Sequence, residues 1–193
     1  MRVLSASQIH ESFASFGQLG KDRLQCGEHG PFFAHPEADS ILLQYPSKLE
    51  QFPFFASLLA RLGYDEEHFD GARLWFKEWG VWNPREEGIG YQLVESLNCA
   101  AGQPASFEAA PGHLFRADEF TAAVAMLMQP MLFGWDAYYV PQWSYGVEEY
   151  FVEVSHDSVV YVFTRTKAFH ANALAILQKL NLDPRHAGKD GSR

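Results

Sequence analysis

At 193 residues, 47% apolar and 20% charged, the chain is long enough for one hydrophobic core. Its 16 Phe, 8 Tyr and 5 Trp exclude a disordered chain. Fifteen Lys and Arg against 24 Asp and Glu give a net charge of −9, and no basic run stands out beyond a loose grouping of Arg185, Lys189 and Arg193. That argues against nucleic acid and anionic membrane, both of which need clustered cations.

The sign suits a basic protein patch or a cationic ligand, and it also serves solubility. Two cysteines, Cys26 and Cys99, make no disulfide framework and are expected to stay unbonded. The opening residues carry no apolar signal core, and the best apolar run, Ala122 to Leu132, is broken by Gln129 and Pro130. A cytoplasmic location without membrane contact is the expectation.

Ser5 and Gln8 form a capping box before Ile9, Phe13 and Phe16, which follow at helical spacing. Gly20 to Ser40 reads as irregular. Ile41 to Tyr45 reads as a strand ended by Pro46, and Phe52, Phe55, Leu59 and Leu62 line a helix that stops at Gly63. Arg73 to Trp82 fits a strand better than a helix, given its aromatic content and Gly80. Asn83, Pro84 and Glu86 then predict a capped helix over 84–97, weakened by Gly88 and Gly90. Phe107 to Phe115 reads as a strand broken at Pro111 and Gly112. Phe120, Val124, Leu127, Met128 and Met131 mark an amphipathic helix.

Trp135 to Val140 reads as a strand that gives way to a polar connection at Pro141. Tyr150, Val152 and Val154 alternate with Glu149, Phe151 and Glu153 in the cleanest strand pattern of the chain. A turn at Ser155 to Ser158 leads back through Val159 to Phe163, and Thr166 caps a final helix bearing Phe169, Ala173, Ile176, Leu177 and Leu180. This order predicts a single α+β domain over 1–183, with a flexible tail over 184–193. The expected architecture is a mixed sheet with a C-terminal antiparallel meander and helices mostly on one face.

Chemistry-bearing motifs are sparse. There is no serine elbow, P-loop, zincin motif or complete dinucleotide fingerprint. Cys26, His29 and His35 offer zinc-type ligands, but not at the spacing of a finger or ribbon, so no metal and no cofactor is assigned. Glu86 is accounted for as the capping-box carboxylate and Glu87 as first-turn helix charge. A polar centre, if the fold assembles one, draws on Glu78, His113, Asp136 and His156. Glu78 interrupts a run of aromatics, His113 follows a break in pairing, Asp136 stands between Trp135 and Ala137, and His156 ends a strand. Among the aromatics, Trp75 and Trp135 read as core. Trp143 and Tyr145, in the polar connection, read as exposed partner contacts.

Leu74 to Trp82, Glu108 to Phe115, Phe133 to Asp136 and Ser155 to Asp157 together resemble a group of uncharacterised bacterial proteins over about residues 70–160. The resemblance implies a bacterial source and carries no activity, cofactor or site residue. Three readings follow from the sequence, the third being a metal-stabilised domain that uses Cys26, His29 and His35. The first is a non-enzymatic module that binds another protein through an aromatic surface, of immunity or accessory type by analogy. The second is an enzyme with a dispersed site made of Glu78, His113, Asp136, His156 and Asp157.

Overall fold

A computed structural model describes residues 1–14, 39–78, 88–107, 109–145, 149–182 and 184–186. The strands are β1 (Arg2–Leu4), β2 (Asp39–Gln44), β3 (Phe69–Glu78), β4 (Gly112–Arg116), β5 (Asp136–Trp143), β6 (Tyr150–Ser155), β7 (Val159–Thr164) and β8 (Arg185–His186). The helices are α1 (Ala6–Ala14), α2 (Phe52–Arg61), α3 (Ile89–Ala100), α4 (Phe120–Phe133) and α5 (Lys167–Lys179). All eight strands among the described residues join one sheet in the order β1-β4-β3-β5-β6-β7-β2-β8, which makes the fold α+β.

Every ladder in that sheet is antiparallel, which corrects the expectation of a mixed sheet. The strands β2 and β3, joined through α2, lie apart, with β2 beside β7 and β3 between β4 and β5. The meander β5-β6-β7 and the gathering of helices on one face hold. Apolar residues of α2, α3, α4 and α5 share one core with Ala72, Leu74, Phe76, Tyr139, Val152, Val154, Val160 and Val162. Ile9 and Phe13 of α1 pack on the opposite face, against Tyr138, Val140, Phe151 and Phe163.

Local signals act as the sequence implies. The Ser5 backbone N–H donates to Gln8 Oε1 at 3.0 Å, and the Gln8 N–H donates to Ser5 Oγ at 3.3 Å, closing the box that starts α1. Phe169 N–H donates to Thr166 Oγ1 at the start of α5. Arg73 to Glu78 is strand, as the aromatic content indicated. The helix predicted over 84–97 begins instead at Ile89, because Gly88 is extended and takes the N-cap position; the expected cap, Asn83, lies outside the described residues. Gly90, read as a weak point in this helix, is a point of close approach. A Cβ there would stand 2.6 Å from the Trp135 ring, so only glycine lets α3 settle on that side chain.

Two boundaries move outward. β5 continues through Pro141 to Trp143, since its ladder to β6 spans only Ala137 to Tyr139 and Pro141 is paired on the β3 side alone. At the other end of the chain, Arg185 and His186 pair with Leu42 and Ile41, so the ordered structure passes residue 183 into what was expected to be tail. Residues 187–193 lie outside the described residues. Among the described residues, no helix is long and apolar enough to cross a membrane.

The β6–β7 hairpin fixes the register of the centre, with Val152 opposite Val162 and fully buried. A carboxylate at that position would be set between Tyr139 and Val162 in the apolar core. Val152→Asp is therefore expected to cost about 4 kcal/mol or more, and to abolish the cooperative thermal transition seen by circular dichroism.

Candidate functional site

The antiparallel register brings the start of β5, the end of β6 and the β6–β7 turn to one end of the sheet. There Asp136 and His156 meet. Asp136 Oδ1 accepts the His156 backbone N–H at 2.7 Å and its Nδ1–H at 2.8 Å. Both side chains remain partly exposed, and Asp157 Oδ1 stands 3.7 Å from His156 Nε2. One carboxylate thus fixes both the turn and the imidazole's orientation, leaving Nε2 as the nitrogen that faces away from Asp136.

The other two members of the expected quartet do not complete this pair. His113 is wholly buried on the face bearing four helices, where its Nε2–H donates to Asn98 Oδ1 at 2.8 Å. Its ring lies edge-on to Phe76 and stacked against Phe115. Asp136 follows the alternation of Tyr138 and Val140 on the opposite face, so the sheet itself separates the two groups. The break at Gly112 redirects nothing; the glycine is needed because a Cβ would lie 2.5 Å from Ile9 of α1. The Glu78 backbone pairs with Asp136, but its side chain lies outside the described residues, as do Cys26, His29 and His35.

Burial alone holds the His113 imidazole down to about 3, so it stays neutral in the native protein. In the unfolded chain it gains a proton below its ordinary value of 6.5. Its native pKa is depressed, so its contribution to stability falls as pH drops from 6.5 toward 3, by about 1.4 kcal/mol per pH unit. Paired urea titrations across this window should show the wild type losing stability relative to His113→Gln by about that amount per unit as pH falls.

A second cluster, not foreseen from sequence, lies beside Asp136. A register shift between Phe76 and Glu78 makes Lys77 the extra residue of β3, and its ammonium donates to the Tyr138 hydroxyl at 3.1 Å while lying 5.3 Å from that ring's centre. Glu153 is opposite Tyr138 on one side and Tyr161 on the other, and is partly buried. Burial pushes its carboxyl up to about 7; nearby Asp136 adds to the rise and the Lys77 ammonium opposes it. The signal in the sequence was that β6 is apolar on both faces. Phe151 meets Phe163 and Tyr138 on the α1 side, so Glu153, on that same side, is a carboxylate set into a largely apolar face.

The two expected partner contacts part ways. Trp143 is 2% exposed, because β5 carries it onto the helix-bearing face, stacked on Tyr64 at 4.5 Å and edge-on to Phe69. This corrects its reading as an exposed residue. Tyr145 is 62% exposed, with its ring 5.0 Å from that of His68. Close by, Asp65, Glu67 and His68 place ligand atoms within 4.8 Å of one another, an exposed group of a kind that occurs widely without a metal. Cys99 is free and exposed.

Large exposed apolar side chains collect at the Asp136 end of the sheet. Tyr45 is tied to the β6–β7 turn through its N–H to Ser158 and its hydroxyl to the Ser155 carbonyl, so Leu49 and the start of α2, with Phe54, lie there. The close approach of Gly90 to Phe133 and Trp135 brings Ile89, Leu93 and Leu132 to the same end. No protein-family model, curated protein or solved structure matches the chain.

Proposed function

We propose that the protein is a cytoplasmic binding module, of accessory type, that engages another protein through the Asp136 end of its sheet. One observation carries the reading. Five of the seven large apolar side chains exposed among the described residues, Leu49, Phe54, Ile89, Leu93 and Leu132, lie at that end. Scattered single exposures need no explanation, but a gathering of them marks an interaction surface. The surface is aliphatic with one phenyl ring rather than the aromatic one expected, because most of the chain's described aromatic rings are spent on its core. Asp136, His156 and Asp157 supply polar groups at its rim, which suits a partner carrying donors or positive charge. An enzyme that uses the expected quartet as a unit is disfavoured by the position of His113 on the other face.

Phe54→Ser and Ile89→Ser alter exposed positions and are expected to leave the melting transition within a few degrees of wild type. Used as baits in the native host, both variants should lose a protein that the wild type captures, while Tyr145→Ala at the opposite end should retain it. Capture unaffected by Phe54→Ser and Ile89→Ser, or lost only in Tyr145→Ala, would overturn the assignment of the surface.

A further inference from the structure

We propose that the contact between His113 and Asn98 is an acid-sensitive latch on α3, which regulates the docking surface by holding or releasing Ile89 and Leu93. The regulation rests on the reading of that surface as a docking face; the latch does not. Helix α3 turns Gly90, Tyr91, Val94 and Asn98 inward. Gly90 lies against Trp135, and Tyr91 is edge-on to Phe107 at 5.3 Å and to Trp135 at 5.6 Å. Those contacts seat the first half of the helix. The second half sets a wholly buried polar side chain, Asn98, against the wholly buried His113, with Oδ1 2.8 Å from Nε2. Ile89 and Leu93 stand exposed on the outer side of the same helix.

The pair is built for a neutral imidazole. Nε2–H donates to Asn98, while His113 Nδ1 and Asn98 Nδ2 have no hydrogen-bond partner among the described residues. A protonated ring would carry a second donor at Nδ1 into a setting made by the ring of Phe76, edge-on at 5.6 Å, and the stacked ring of Phe115.

The charged groups of the surrounding elements are engaged elsewhere. On α3, Glu95 accepts the Phe107 N–H and Cys99 is exposed. On β3, Arg73 and Lys77 bond on the other face of the sheet, to Ser12 and to Tyr138, and Asp70 is exposed. Arg116 of β4 pairs with Asp118 and Glu119, Arg2 of β1 is exposed, and α4 carries no charged residue. Burial is accordingly what lowers the imidazole.

Release of α3 admits water to His113, and a hydrated imidazole binds its proton at the ordinary 6.5 rather than at about 3. Each pH unit between these values therefore favours the released helix by about tenfold. Acid loosens α3, and Ile89 and Leu93 leave the positions they share with Leu49, Phe54 and Leu132.

Amide hydrogen exchange of the full chain, from about pH 7 to about pH 5, reads the latch without any partner. After correction for intrinsic rates, α3 amides should open more readily than those of the β6–β7 hairpin. Their opening constant should rise about tenfold per unit below 6.5. His113→Gln should abolish the rise. Asn98→Asp places a carboxylate against Nε2, favours the protonated ring and should flatten it. Amides of α3 that open only together with the hairpin, an opening constant insensitive to pH, or the same rise in His113→Gln would each overturn the latch. The protein captured by the wild-type bait should be shed at about pH 5 and kept by the His113→Gln bait; equal shedding from both would overturn the regulation. Capture that ignores Phe54→Ser and Ile89→Ser at neutral pH would overturn the docking surface and the regulation with it, while the exchange result still decides the latch.

Discussion

The central ladder β3-β5-β6-β7 carries apolar side chains on both faces, and both must be covered. Leu74, Phe76, Tyr139, Val152 and Val162 face one way; Tyr138, Val140, Phe151 and Phe163 face the other. Among the described residues, four helices serve the first face and α1 the second. A sheet buried on one face tolerates polar residues at every second position, whereas this one leaves few places where a charge is cheap. The unequal division of helices decides where those places are. The Lys77, Glu153 and Asp136 group lies on the face covered by a single described helix, and His113, on the crowded face, stays neutral.

Much of the secondary structure was legible because its signals are local. The Ser5–Gln8 box, the Thr166 cap and the alternation through Tyr150, Val152 and Val154 each act over a few residues and meet no opposing demand. Where tertiary contact intervenes, sequence reasoning fails for identifiable reasons. Pro141 reads as the end of a strand, yet β5 runs past it because its pairing to β6 has already stopped. Gly90 reads as a flaw in a helix, yet it is the seat for an indole ring. Strand direction was misjudged because adjacency is set by long-range pairing that no local pattern records.

The candidate residues divide along the same line. Asp136 and His156, two members of the expected quartet, meet because one begins and the other follows strands that a hairpin-like meander brings side by side. His113 failed because residue parity on β4 was not known relative to β5, and one step in register sends a side chain through the sheet. Glu153 was passed over as the polar half of an alternating strand. Its significance emerges only once Phe151 is seen to be buried too, which turns an ordinary solvent-facing position into an isolated carboxyl among rings.

The sheet ends on its two shortest strands. β1, three residues long, closes the edge of β4, and β8, two residues long, closes part of the edge of β2. An open strand edge is a template on which a second molecule can add a strand, and the hazard grows with the length of unpaired backbone presented. Among the described residues the strand at each rim is short, which limits the run of peptide groups that β1 and β8 themselves offer to a second molecule.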